Sequence, residues 1–182
     1  MSDIGGGKGG PGPAMHNDEP ICRKTSREEQ GRIFQVTVHA TKGTGDDPVD
    51  FSFESPLKNQ ENGHLVFYKN RDKMRRQDFY LLEFMLDDQS GLGLRFEPNP
   101  CHAFWVAMGD NVSPPDCPQE PSYDETIFVV QSHLHGKTLL VRNDDDVPQF
   151  FRFSLGFVDQ DGKPHRFDPI GQNQNGGIGQ FE

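Results

Sequence analysis

Cysteine is scarce in this sequence and basic residues are outnumbered, and each shortage removes a class of function. The three cysteines, Cys22, Cys101 and Cys117, are odd in number and include no C-x-x-C pair, so no disulfide framework or zinc knuckle is spelled out. Cys101 and Cys117 are near enough in sequence to approach across a loop. Reduced thiols in a cytoplasmic protein are the simpler reading. Only 18 Lys and Arg stand against 28 Asp and Glu, a formal net charge of −10. Such a field repels polyanions, which argues against a nucleic-acid partner or an anionic membrane surface. No apolar run reaches the length of a membrane span, and the opening MSDIGGGKGGPGPAMHNDEP has no apolar h-region. Neither a spanning nor a secretory segment is therefore expected.

Catalytic signatures are missing as well. No G-x-S-x-G elbow, H-E-x-x-H pair or Cys/His nucleophile pattern occurs. GGGKGGPG has the glycines of a phosphate loop, but Gly9 follows Lys8 where Ser or Thr is required, and no strand precedes it. The expectation is a protein without assigned catalytic residues and without a cofactor.

Phenylalanine is what the sequence has in quantity, 15 residues of it, with β-branched residues clustered nearby. In RIFQVTVHAT, Phe34, Val36, Val38 and Ala40 fall on one face and Gln35, Thr37 and His39 on the other, the period-2 pattern of a half-buried strand. VDFSFES repeats it with Val49, Phe51 and Phe53 inward. Similar runs follow at HLVFYK, DFYLLEFML, LGLRFEP, HAFWVAM, TIFVVQSHL, KTLLVRN, QFFRFSLGFVD and KPHRFDPI. Asp161-Gly162 supplies the positive-φ pair of a tight hairpin, and Gly136 serves likewise in LHGKTL. GDNVSPPDCPQEPSYD, residues 109 to 124, carries four prolines and reads as a long surface loop, since each Pro removes a ladder donor. These features predict an all-β chain of about ten strands and no helix: a single antiparallel β-sandwich, immunoglobulin-like or jelly-roll-like. It spans residues 30–171, between a flexible Gly/Pro-rich tail over 1–25 and a polar tail over 172–182.

The last third has a family likeness. TLLVRNDDD, FFRFSLGFV, a D-x-D-G hairpin and RFDPI follow one another, and RFEPNP stands upstream, shortly before AFWVAMGD. This arrangement, over residues 90 to 177, resembles the small bacterial β-sandwich proteins of the DP-EP family, and proteins loosely labelled "nucleotide synthetase" that end in a similar way. The resemblance implies a sandwich fold and a bacterial cytoplasmic setting, and brings no catalytic residues with it.

Candidate binding residues fall in four places. His133 and His135, two apart at the end of TIFVVQSHLHG, share a strand face with Gln131 and have the spacing of two metal ligands. Asp159 and Asp161 form half of a calcium-loop pattern, but Lys163, Pro164 and His165 then stand where further ligands belong. Arg71, Lys73, Arg75 and Arg76 belong to KNRDKMRR, a basic stretch in an acidic protein, suited to a partner or anion. Ile178 and Phe181 are apolar anchors in the closing segment, suited to docking along a sheet edge. Trp105, in phase with Ala103 and Ala107, is expected in the core, and Asp168-Pro169 is expected to form a turn. The favoured reading is a non-enzymatic binding or assembly module that acts through protein contacts, with a protein partner or by self-association. The alternative is a small-ligand or metal-binding domain that uses the strand-end His and turn Asp residues.

Overall fold

Period-2 patterning places the first strand as expected. β1 (Arg32–Lys42) buries Phe34, Val36, Val38 and Ala40 and turns Gln35, Thr37 and His39 outward. The computed structural model describes residues 32–68, 79–132, 135–144 and 147–174. β1 sits second in a five-stranded sheet, between β2 (Val49–Glu54) and β4 (Tyr80–Asp88). β8 (Thr138–Asn143) and β7 (Ile127–Ser132) complete that first sheet.

The second sheet is organised around one long strand, β9 (Gln149–Val158). Along one side of it lie β5 (Arg95–Phe96) and β6 (Phe104–Met108). Along the other lie β10 (Pro164–Phe167) and β11 (Ile170–Asn173), and β3 (Leu65–Phe67) pairs beyond β11. A single helical turn, α1 (Pro100–Ala103), starts where the Asn99 side chain accepts a hydrogen bond from the Cys101 amide, and it leads into β6.

Both sheets are mixed, which corrects the antiparallel expectation. β1 runs parallel to β4, and β11 runs parallel to β3. Alternation reports which face a side chain occupies and carries nothing about the direction of the neighbouring strand. A second correction is β11 itself. Its residues fall partly in the segment expected to be a polar tail, yet Asn173 is buried and hydrogen bonds run to strands on both sides. Low apolar content hid this strand; a short inner strand can hold its place by main-chain pairing. Gly171 is required there, because a Cβ would stand 2.1 Å from Cζ of the Phe151 ring.

The inward faces of the two sheets share one aromatic core. Phe84 of the first sheet meets Phe153 of the second at 5.6 Å between centroids, Phe51 meets Phe157 at 5.1 Å, and Tyr80 meets Phe67 at 5.0 Å. A polar contact crosses the same layer. The buried Asn143 of β8 donates from Nδ2 to Oδ1 of the buried Asn173 of β11, at 2.8 Å. Trp105 is absent from this core, contrary to expectation. Phe104 and Val106 take the inward positions of β6, and Trp105 is half-buried on the outer side. HAFWVAM is not a strand throughout: its first residues lie in α1, and the phase is set by Phe104.

Both turn glycines are left-handed as read, but Asp161-Gly162 is not the central pair of its hairpin. The Gly162 amide donates to the Asp159 carbonyl at 3.1 Å, which puts Gln160 and Asp161 at the centre of the turn. Gly162 (φ +81°) and Gly136 (φ +63°) adopt left-handed conformations in the β9–β10 and β7–β8 connections. Residues 109–124 contain no strand. Asp110 accepts the amides of Val112 and Ser113 at 2.8 Å, which opens this proline-rich loop with an Asx turn. Farther along, the Ser122 carbonyl accepts the Val106 amide at 3.1 Å and the Cys117 sulfur receives Arg152 Nη1 at 2.9 Å. The loop thus lies against the second sheet.

Candidate functional site

Three of the expected site residues are described, and the structure separates them. Arg71, Lys73, Arg75, Arg76, Ile178, Phe181 and His133 lie outside the described residues. His135 is exposed in the β7–β8 turn. Asp159 and Asp161 do not act together: Asp161 is exposed, whereas Asp159 is turned into the hairpin. Asp159 Oδ1 accepts the amides of Asp161 and Lys163, both at 2.9 Å, and Oδ2 faces Nε2 of buried His165 at 3.1 Å. The His165 bond, followed by the Lys163 amide, holds the Asp159 carboxyl below its usual range. Both oxygens are therefore committed to closing the hairpin. Among the described residues, no group of three His, Cys, Asp or Glu is placed to hold a metal ion.

Cysteine chemistry departs from expectation too. Cys117 is free, and Cys101 is disulfide-bonded, so these two do not pair with each other and the reduced-thiol reading fails at Cys101.

What the structure does assemble is built from two copies of one short pattern. Arg95-Phe96-Glu97-Pro98 and Arg166-Phe167-Asp168-Pro169 flank β9 on opposite sides. Each Phe is paired to β9, Phe96 with Phe157 and Phe167 with Leu155. Between them stands Gly156, level with Arg166 and accepting the Glu97 amide at 3.0 Å. Without a side chain at 156, Arg166 crosses β9. Its guanidinium lies 3.3 Å from the centroid of the Trp105 ring, and Nη1 donates to the His102 carbonyl at 3.1 Å. A Cβ on Gly156 would meet that carbonyl at 2.3 Å and Arg166 Nη1 at 3.0 Å. Burial lowers the Arg166 pKa, and the carboxylates of Glu97 and Asp168 oppose that shift. The two acidic-Pro elements therefore converge on one arginine.

Trp105 and Tyr123 are fixed from beneath. The indole Nε1 and the Tyr123 hydroxyl both donate to the Cys101 carbonyl, at 3.1 and 3.0 Å. Burial raises the Tyr123 pKa, with Arg166 acting against it, so this phenol stays neutral and serves as a donor. Tyr123 remains 44% exposed. The result is a held arrangement of half-buried Trp105 and Arg166 beside an exposed Tyr123. Sequence reading assigned Trp105 to the core and Asp168 to a turn, and passed over Arg166, Glu97 and Tyr123. The signal that was present is the repeated R-F-acid-P.

His39 and Asp87 make the other described His–carboxylate pair, on the outer face of the first sheet, with Nδ1 3.0 Å from Oδ2. Gln89 Nε2 donates to the same oxygen at 2.8 Å. Parallel register alone explains the pair, since His39 stands directly opposite Asp87. Among the described residues, no helix is long and apolar enough to cross a membrane. No family model matches the chain, and no curated protein matches it.

Proposed function

We propose that the two sheets form a non-enzymatic β-sandwich module that binds a protein partner, a second copy included, through the outer surface around Trp105, Tyr123 and Arg166. The observation that carries this reading is the preorganised Arg166–Trp105 stack beside an exposed Tyr123. Trp, Tyr and Arg are the residue types that dominate binding energy at protein interfaces. Here their geometry is already fixed, so little side-chain ordering opposes association. The basic residues Arg71, Lys73, Arg75 and Arg76, and the anchors Ile178 and Phe181, are proposed as secondary contacts. A DP-EP-like, bacterial and cytoplasmic identity belongs to the same proposal, though the bonded Cys101 is unusual for a reducing compartment. A small-ligand function is the second reading, and a separate set of polar atoms favours it, as argued below.

Trp105 is the only tryptophan, so its emission reports on this surface alone. Full-length protein, purified without an affinity tag, is followed by native mass and by fluorescence over a wide concentration range, with any co-purifying protein retained. Complex formation is expected to shift the Trp105 emission, and Tyr123→Ser to weaken the complex about tenfold, or ~1.4 kcal/mol. A complex that leaves the emission unchanged and tolerates Tyr123→Ser sinks the proposal.

A further inference from the structure

Among the described residues, four buried side-chain polar atoms have no hydrogen-bond partner: His64 Nδ1, Ser122 Oγ, Arg152 Nε and Ser154 Oγ. Buried polar groups are almost always satisfied, so each such atom asks for a partner. Three of the four fall on one surface. β9 points Phe151, Phe153, Leu155 and Phe157 into the core, which turns Arg152 and Ser154 to the outer side of the second sheet. Across β9, Arg152 stands opposite Ile170 of β11. Leu65 pairs with Gly171 and points inward, so His64, one residue earlier, is level with Ile170 and outward. The His64 ring also packs edge-on against Phe150, the outward neighbour of Arg152, at 6.2 Å. Burial lowers the His64 pKa, and the positive charge of Arg152 lowers it further, as their shared surface requires.

Charge identifies what is missing. Among the described residues, Arg152 has no carboxylate partner in an ion pair, although the chain carries ten more acidic than basic residues. Its one hydrogen bond is from Nη1 to the Cys117 sulfur at 2.9 Å, delivered by the proline-rich loop. Nε–H is left over, and the fully buried Ser154 presents an unpaired hydroxyl two residues along the same face. A guanidinium edge together with a serine hydroxyl is a donor set for an oxyanion. Asp168, level with Ser154 where β10 gives way to β11, acts electrostatically on Arg166.

We propose that Arg152, Ser154 and His64 form a binding site for a compact oxyanion, a carboxylate or a phosphate, between the outer face of the second sheet and the proline-rich loop. Arg152 Nε–H and Ser154 Oγ–H donate to the anion, and the His64 ring closes the far side. The site adjoins the Trp105 surface, since Ser154 stands opposite Trp105 in the β6–β9 register, but it uses different polar atoms and does not rest on the partner-binding reading.

The test uses the full-length protein titrated with sodium phosphate and with sodium acetate, at constant ionic strength, against sodium chloride. Calorimetry is expected to give saturable binding of at least one oxyanion and none of chloride. Arg152→Gln is expected to weaken it at least tenfold and Ser154→Ala several-fold, with Arg95→Gln unchanged. Because Arg152→Gln can disturb the loop, the wild-type protein supplies a second reading. The Arg152 Nε–H and His64 ring nitrogen resonances should move together along the same saturation curve. Phosphate alone identifies a phosphate site, and acetate alone a carboxylate site. No saturable oxyanion binding, or saturation that leaves both resonances still, overturns the proposal and assigns the unpaired atoms to ordered water.

Discussion

The two sheets use their outer faces in opposite ways. On the first, outward polar groups satisfy one another, Gln35 with Glu83 and His39 with Asp87 along the register and Thr44 with Asp50 from the β1–β2 connection. These contacts are exposed or half-exposed, and each is of the kind that contributes little to stability. On the second, the outer face is covered. A loop lies over it, an arginine crosses it above a glycine, and polar atoms are buried beneath without partners. A surface built for solvent closes its own hydrogen bonds. One that leaves donors unpaired under a cover is arranged for something else.

The sharpest way to break this contrast is to make one small substitution to alanine on each face. Gly156→Ala places its Cβ against the His102 carbonyl at 2.3 Å, and backbone yields less readily than a side-chain tip. A loss near the upper end of about 1–3 kcal/mol is expected in equilibrium urea unfolding, with the Arg166–Trp105 stack disturbed and the Trp105 emission shifted. On the first sheet, Ser52 is an outward residue of the edge strand β2, and Ser52→Ala is expected to stay within about 0.5 kcal/mol. Equal losses at the two positions would show that the outer faces do not differ.

A smaller effect is expected where the sheets meet. Asn173→Ala removes the acceptor of the buried Asn143 amide, at an expected cost of about 1–2 kcal/mol read as a lower urea midpoint. Since β11 has few apolar contacts of its own, amide exchange in β11 and β3 should accelerate more than in β1 and β4. Uniform acceleration would mean that the pair does not hold β11 in particular.

Acid titration sharpens the comparison last. The Asp87 and Asp159 carboxyls are both held below their usual range, by His39 and then Gln89 in one case and by His165 and then the Lys163 amide in the other. A depressed carboxyl stabilises the fold fully above its unfolded value of about 3.9, and that contribution is lost as pH falls through the folded value. Asp159→Asn should therefore flatten the acid limb of the stability curve, measured as urea midpoint against pH. Asp87→Asn should flatten it less, because its carboxylate is 41% exposed against 9% for Asp159 and water screens the pair. An acid limb flattened equally by both would sink the distinction between open and enclosed pairs.

Much of the first sheet was legible in the sequence, and the second much less so. β1, β2 and β4 alternate apolar with polar because one face is wet, and that alternation is the signal by which a strand is read. β9 is buried on both faces over its second half, so its run shows no such contrast, and its two neighbours on one side are fragments of a single interrupted strand. β11 spells Ile-Gly-Gln-Asn and holds its place through backbone pairing and one buried amide, neither of which has a hydrophobic signature. The site was hidden for a related reason. Glu97 is distant in sequence from Arg166 and Asp168, and only pairing to opposite sides of β9 brings the two motifs together. Parallel neighbours such as β1 and β4 are invisible locally, because direction is decided by the connection between them.

The parallel pairing of β3 with β11 has a consequence for how the chain reaches its folded state. β3 finds its strand neighbour more than one hundred residues later in the chain. During synthesis, the first sheet has all five of its strands once β8 has emerged, while β3 waits with its partner side open until β11 arrives. Closing so long a loop is slow relative to local pairing. A nascent chain arrested between β8 and β11 therefore presents an apolar strand with one open edge, Leu65-Val66-Phe67, to whatever holds unfinished chains. Release of that strand would mark the arrival of β11.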